Sequence, residues 1–335
     1  MKKPKVSIII PTYNQSVYVC QTIESALAQN YENLEIVLSD DNSKDKTKEI
    51  SKKYLRDKRF KYFKNKKNLG RVGNYHKALY DYSTGDYALV LDGDDYLIDN
   101  DYIKNSIDLI LKYNLIAVFA KQNVLLEKDK KIIEDRMNNK LPTILEGNWL
   151  FLNYYKGYSI PHLSTIYDRK YAMKIGYYNE DILSSDWESF LRLIQKNKIG
   201  FINKSIGIWR KHLNNSSKSK DLYIVFNNIK YVENSYKFAL NNKLSSKKIL
   251  DNWRKNMLRR NFIKNLLKFL IIKDKESHKE FNKMIKKYDK KIYYSILFDP
   301  RFMLIKILLF NKLITKIFFK YILKNESFLE DLIIS

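Results

Sequence analysis

Cysteine is almost missing from this chain of 335 residues: Cys20 stands alone. That excludes a disulfide framework and any zinc site built on several thiolates. Histidine is scarce as well, with only His76, His162, His212 and His278. No stretch of about 18 uncharged apolar residues occurs, so no spanning helix is expected. The apolar run Val6–Ile10 stops at Pro11, too short for the hydrophobic region of a secretory leader, and none is expected here. Pro11–Ser16 offers no Gly/Arg/Lys-rich phosphate loop, which counts against nucleotidyl transfer. No zinc-finger, RNP-type or other recognisable nucleic-acid motif is present, so a nucleic-acid partner is not expected.

Positive charge is in excess. The formal net charge is +25, and it is unevenly spread: residues 1–215 hold 35 Lys+Arg against 26 Asp+Glu, whereas residues 216–335 hold 27 against 11. Biased base composition explains part of this, because Lys, Asn and Ile are all abundant. Attraction to an anionic membrane surface or substrate is the next reading. Hydrophobic residues at 45% and aromatics at 14% mark a folded protein with ample core for one large domain or two.

The first two-thirds alternates strand and helix. Val6–Ile10, Leu34–Leu38, Phe60–Phe63, Tyr87–Leu91 and Ile116–Lys121 read as strands, several of them β-branched runs buried on both faces. Ser16–Gln29, Asp45–Tyr54, Val72–Tyr82 and Asp101–Tyr113 carry helical spacing, with Asp45 as a candidate N-cap. Alternation of this kind implies βαβ units in an open α/β sheet, where ligands sit beyond the carboxyl ends of the strands. Thr12-Tyr13-Asn14, Asp40-Asp41 and Asp92–Asp95 each follow a strand. Chain direction alone therefore puts them on one edge.

From residue 216 on, glycine is absent and helical spacing dominates. Lys306, Lys312, Lys316, Lys320 and Lys324 form a stripe among Ile, Leu and Phe. The stripe reads either as the solvated face of a packed helix or as an in-plane membrane helix. Asn214–Lys220 is the linker candidate. The expected division is a catalytic domain over residues 1–215 and a basic helical region over 216–335.

Several carboxylates within Asp92-Gly93-Asp94-Asp95 repel one another unless a cation neutralises them. Such ligands suit Mg²⁺ or Mn²⁺ and leave positions open for a diphosphate. An acidic capping turn is the plainer reading. Asp40 could accept the ring N–H of a uracil, and Asp41-Asn42-Ser43 fits an ordinary turn and cap. Thr12-Tyr13-Asn14 after Pro11 could offer backbone contacts and a ring face to a base. Asp186, in Ser185-Asp186-Trp187-Glu188, opens a helix whose dipole favours a charged carboxylate; it fits either a general base or a cap. His212, in Trp209-Arg210-Lys211-His212, could complete a metal shell or contact a diphosphate, with Arg210 or Lys211 neutralising charge. His162 could face a sugar.

Six motifs then fall in order between residues 6 and 212: VSIIIPTYN (Val6–Asn14), EIVLSDDNSKDKT (Glu35–Thr47), NLGRVGNYHKAL (Asn68–Leu79), ALVLDGDD (Ala88–Asp95), SSDWESFLRL (Ser184–Leu193) and IWRKH (Ile208–His212). Together they resemble the family 2 glycosyltransferases. The resemblance implies the GT-A fold, an open mixed sheet with flanking helices, here followed by a mainly helical C-terminal region. It implies an inverting, metal-dependent sugar transferase, hexosyl- or N-acetylhexosaminyl-, using a nucleotide sugar such as a UDP-sugar. The implied acceptor is a glycan or lipid-linked hydroxyl in bacterial cell-surface polysaccharide synthesis, and the implied place is cytoplasmic, peripheral at the inner face of the membrane. It assigns nucleotide-sugar binding to Pro11, Thr12, Tyr13, Asn14, Asp40, Arg71, Asp92, Gly93 and Asp94. It assigns metal binding to Asp94 and His212, with Asp95 extending the cluster, and the catalytic base to Asp186. Trp187, Arg210 and His162 are candidate substrate contacts, and Arg192 a brace. Two positions depart from the family pattern: Asn42 stands for the usual Gly after the Asp pair, and Ser185 for the usual Glu before the base. A nucleotidyltransferase and a non-catalytic nucleotide- or carbohydrate-binding module are the alternatives.

Overall fold

A computed structural model describes residues 3–134, 138–212, 215, 219 and 221–308. The lysine stripe beyond Lys306 lies outside these residues, as does most of the Asn214–Lys220 linker. The chain divides into two compact units, one of residues 1–213 and 237–244, the other of 214–236 and 245–335.

The first unit is built on one sheet. Its elements run β1 (Val6–Thr12), α1 (Val19–Leu27), β2 (Leu34–Asp40), α2 (Thr47–Lys52), β3 (Phe60–Lys64), α3 (Arg71–Lys77), β4 (Tyr87–Val90), β5 (Tyr96–Leu97), α4 (Tyr102–Tyr113), β6 (Ala117–Leu126), β7 (Lys131–Ile133), β8 (Ile144–Glu146), α5 (Gly147–Asn153), β9 (Thr165–Asp168), α6 (Arg169–Lys174), α7 (Ser185–Leu193) and β10 (Lys198–Lys211). The strand order is β3-β2-β1-β4-β9-β6-β10-β5, with β7 on β6 and β8 on β10. β3, β2, β1 and β4 are mutually parallel. β9 runs antiparallel between β4 and β6, so the sheet is mixed. Every residue of β1 and β2 is buried, as expected of strands covered on both faces. On one face Ile23 and Ala26 of α1 and Ile103, Ile107 and Ile110 of α4 pack on Val6, Ile8, Ile10 and Leu38.

Local details depart from the sequence pattern. Helix α2 starts at Thr47, not Asp45. The Asp45 carboxylate instead accepts the amides of Thr47 (3.0 Å) and Ser16 (2.8 Å), tying two loops together. The helix over residues 72–82 ends as a π-turn, Ala78–Tyr82. β6 runs on to Leu126 because β10 continues alongside it to Lys211.

The second unit is helical: α8 (Leu222–Asn227), α9 (Lys230–Asn241, its end counted with the first unit), α10 (Lys247–Ile271), α11 (Lys275–Tyr288), α12 (Lys290–Leu297) and α13 (Pro300–Leu308). Phe226, Phe262 and Phe281 form its aromatic centre, with ring centroids 5.7–6.1 Å apart. No described helix is long and apolar enough to cross a membrane.

Candidate active site

The parallel register brings three polar clusters to one edge. Thr12 pairs with Asp40 at the ends of β1 and β2. The Asp41 amide donates to the Thr12 carbonyl (2.9 Å), and the Gly93 amide to the Pro11 carbonyl (3.1 Å). Pro11–Asn14, Asp40–Asp41 and Asp92–Asp95 therefore lie side by side. Asn14 and Asn42 both take left-handed backbone, φ 53° and 65°, which Asn tolerates best after glycine. The Asn14 amide donates to Ser43 Oγ (2.9 Å), and Asn14 Oδ1 accepts the Lys44 amide (2.8 Å). Two loops are thereby locked, with the Tyr13 ring left exposed beside them.

Asp40 is enclosed. Its side chain is 0% exposed. Oδ1 accepts the Ser43 amide (2.7 Å) and Oδ2 the Tyr62 hydroxyl (2.6 Å). These two bonds fix the loop that follows β2. The next residue, Asp41, uses Oδ1 for the Leu69 amide and the Asn65 side chain. That joins β2 to the loop entering α3.

The Asp92–Asp95 turn is the chemical centre. One carboxylate oxygen from each of Asp92, Asp94 and Asp95 falls within 4.8 Å of the others. Burial pushes the Asp95 carboxyl well up, and the Asp94 and Asp92 charges push it further; the Arg210 amide only partly opposes this. Burial also raises Asp92, with Asp94 adding to it while His162, Tyr75 and Arg71 pull the other way. Buried acids that repel one another are what a divalent cation relieves, and oxygen donors of this kind suit Mg²⁺ or Mn²⁺. His212 joins them: its Nε2 lies 2.8 Å from Asp94 Oδ2, and its ring stacks on Tyr18 at 5.1 Å. The residues present fit such an ion. Gly93 is required sterically, since a Cβ there would sit 2.5 Å from Gln15 Oε1 and 2.8 Å from Thr12 Oγ1.

Arg210 braces the same turn. Its Nε donates to the Asp94 carbonyl (2.9 Å), its amide to Asp95 Oδ1 (2.8 Å), Nη1 to Glu127 (3.0 Å) and Nη2 to Gln21 (2.5 Å). The guanidinium also faces the Tyr18 and Tyr96 rings. So buried a side chain holds the acidic turn in place.

Asp186 opens α7 and lines a cavity with Ile160, His162, Thr165, Tyr167, Tyr177, Trp187 and Phe190. A relay joins it to the acidic turn. The Tyr75 hydroxyl donates to Asp92 Oδ1 (2.6 Å), His162 stacks on the Tyr75 ring at 5.6 Å, and Arg71 sits 5.5 Å over that ring. Arg71 Nη2 also donates to the carbonyls of Ile182 (2.8 Å) and Leu183 (2.9 Å), just ahead of α7. Burial opposes the Arg71 charge, but Tyr75, Asp186 and Asp92 outweigh it and keep the guanidinium raised. Asp92 and Asp186 are linked through His162, which lines the cavity beside Asp186 and stacks on the Tyr75 ring that bonds Asp92. Arg192 holds Glu188 by Nε (2.7 Å) and the Gly176 carbonyl by Nη2 (2.9 Å), fixing α7 on the preceding turn. Tyr75, Tyr18 and Gln15 are neighbours that the sequence pattern does not single out. Only the position of Tyr75 within NLGRVGNYHKAL hints at any of them.

Comparison with known proteins agrees with this geometry. The family model described as glycosyl transferase family 2 matches residues 7–172. An uncharacterised glycosyltransferase of Haemophilus influenzae is 34% identical over 151 residues, covering 44% of this chain and 60% of that protein. The Escherichia coli UDP-Glc:alpha-D-GlcNAc-diphosphoundecaprenol beta-1,3-glucosyltransferase WfaP is 38% identical over 124 residues, 37% of this chain and 47% of that protein. The chain thus spans less than two-thirds of either relative. Among solved structures, Staphylococcus aureus TarS 1-349 in complex with UDP-GlcNAc superposes with a TM-score of 0.69 at 18% identity, covering 86% of this chain and 82% of that one. The fold is the GT-A fold of such enzymes.

Proposed function

Because the chain belongs, through residues 7–172, to glycosyl transferase family 2, we propose that it moves a sugar from a nucleoside-diphosphate sugar, such as a UDP-sugar, to a hydroxyl of a glycan or lipid-linked acceptor, with inversion at the anomeric carbon. The observation that carries this reading is the Tyr75–His162 pair: Tyr75 bonds Asp92 of the acidic cluster, and His162, stacked on Tyr75, lines the same cavity as Asp186. The UDP-GlcNAc held by the TarS structure and the lipid diphosphate in the WfaP name support the choice of donor and acceptor class. A cell-surface polysaccharide is the product class we propose, made on the cytoplasmic side of the membrane.

The Pro11–Asn14 loop, with the exposed Tyr13 ring, receives the base and ribose. Asp94, His212 and Asp95 would hold Mg²⁺ or Mn²⁺. Such an ion, when bound, offsets the negative charge of the diphosphate and of the leaving nucleotide. Arg71 and Tyr75 fix Asp92 beside it. Asp186 accepts the proton of the acceptor hydroxyl as that oxygen bonds to the anomeric carbon. The bond from that carbon to the diphosphate breaks, and its electron pair leaves with the nucleoside diphosphate. Asp186 is the one carboxylate among the residues lining its cavity. His162 and Trp187, in the same wall, are the sugar contacts we assign.

Asp186→Asn tests the assignment. Turnover with a nucleotide-sugar and acceptor panel is expected to fall by about 10³-fold or more, with donor affinity by calorimetry nearly unchanged. Retained turnover would remove Asp186 from the role of base. Release of pyrophosphate instead of nucleoside diphosphate would point to nucleotidyl transfer.

A further inference from the structure

The second unit carries a face that the catalytic reading does not use. In α12, residues advance about 100° each, so Lys290, Lys291, Tyr294, Leu297 and Phe298 share one side, opposite the buried Ile292 and Ile296. That side is open: Phe298 is 69% exposed and Tyr294 44%, and Leu304 of α13 is exposed as well, at 52%. Beside it, α11 and α12 line a groove with His278, Lys279, Asn282, Lys283, Lys286 and Tyr293. An aromatic row connects groove and ridge, since the Tyr293 ring lies 5.3 Å from Tyr294, which stacks on Phe298 at 6.3 Å.

Charge decides what can cover this face. Residues 279–306 hold eight Lys and Arg and three acids, and each acid is engaged within the unit. Glu280 pairs with Lys283 (2.9 Å), Asp289 caps α12 through the Ile292 amide (2.9 Å), and Asp299 pairs with Arg259 (2.6 Å). A second copy would bring the same cations against these. The following stretch of this chain, residues 309–335, holds four lysines and three acids, so it too brings net positive charge and no complement. A surface that is negative outside and apolar beneath complements both features. Aromatic rings at the boundary match the headgroup level of a bilayer.

We propose that α11–α13 form a docking face for an anionic lipid bilayer, with the α11–α12 groove taking lipid phosphates and the Tyr294–Phe298 ridge entering the acyl boundary. Docking is independent of the transfer step.

Flotation of the full chain with phosphatidylcholine vesicles, with and without phosphatidylglycerol, tests it. Binding is expected only to the anionic vesicles and weakens steeply with salt. Lys290→Gln with Lys291→Gln should lower the partition coefficient about thirtyfold, from the usual effect of a basic residue at such a surface. Tyr294→Ser with Phe298→Ser should lower it at low and high salt alike. Both double variants should keep the circular-dichroism melting curve and the nucleotide-sugar hydrolysis rate of the parent, and Asp186→Asn should float as the parent does. No flotation of the parent, flotation indifferent to lipid charge, or flotation of the variants undiminished would each overturn the proposal. So would a dimer of the parent, seen by light scattering, that either double variant dissolves.

Discussion

The two edges of the sheet treat buried carboxylates in opposite ways. At the amino-terminal edge, Glu35 of β2 is 2% exposed and receives Lys5 (2.8 Å), Lys61 (2.7 Å), the Ser7 hydroxyl (2.6 Å) and the Thr84 amide (2.6 Å). Burial alone would push its carboxyl up, but these partners outweigh it and bring the pKa down to about 2. At the carboxyl-terminal edge, burial and mutual repulsion push Asp92 and Asp95 up. The chain supplies cations where a charge serves its own stability. It leaves acids under-compensated at the edge where the proposed cation and diphosphate would bind.

The sharpest break of this contrast is at Asp94. Asp94→Ala should reduce transfer about 10³-fold and leave the ion-free melting temperature equal or higher, because repulsion on Asp95 falls. Mn²⁺ titrated into the parent should stabilise it, by about 2.7 kcal/mol when the ion stands at about 100 times Kd. The variant should show little of that gain. A variant that melts lower without ions and responds to Mn²⁺ as the parent does would make the cluster structural, like Glu35.

Glu35→Gln is the mirror experiment. A carboxyl depressed from 4.5 to about 2 corresponds to about 3 kcal/mol of stability at neutral pH. Its folded pKa lies below the unfolded one, so the contribution is present above about pH 4.5 and lost as pH falls toward 2. Denaturant melts at neutral pH should show most of that loss, the acid limb of the stability curve should flatten, and kcat should stay unchanged below the melting range. The raised Asp92 and Asp95 act with the opposite sign, losing stability as pH rises above the ordinary carboxylate range. Unaltered stability in Glu35→Gln would dissolve the contrast between the edges.

A smaller effect is expected at Tyr75, where the two kinds of support meet. Tyr75→Phe keeps the ring under Arg71 and beside His162 but removes the hydrogen bond to Asp92. Loss of one bond to a charged group should lower kcat about tenfold, with the affinity for UDP alone little changed. Equal loss of UDP affinity would mean that the ring, not the hydroxyl, matters.

Much of the acidic edge is legible in the amino-acid sequence alone. β-branched runs end in polar clusters at Thr12, Asp40 and Asp92, and parallel pairing follows from the helices between them. Chain order cannot show that both adjacent aspartates turn inward, to 0% and 2% exposure. That depends on Tyr62 of β3, which reaches the Asp40 carboxylate, and on the Asn65 and Leu69 contacts to Asp41. Nor can it give the partners of Arg210, because Glu127, Gln21 and Asp94 meet it only once β10 lies beside the turn. Tyr75 is hidden for a related reason: a tyrosine on a helical stripe reads as core, and its partner lies across the sheet edge.

Backbone shape gives the smallest and most discriminating test of the acidic edge, because it changes no charge. Asn42 stands where the family has glycine, and its φ of 65° shows that the loop needs the left-handed conformation. Asn42→Gly should leave stability within about 0.5 kcal/mol and activity near parent values, since the freer unfolded chain offsets the relieved φ. Asn42→Val should cost about 1–2 kcal/mol and weaken UDP binding, because the 40–45 loop is tied to Asn14 beside Tyr13. If Val lowered stability and left UDP affinity intact, the loop would serve the fold alone, and the base pocket would have to be sought away from Asn14.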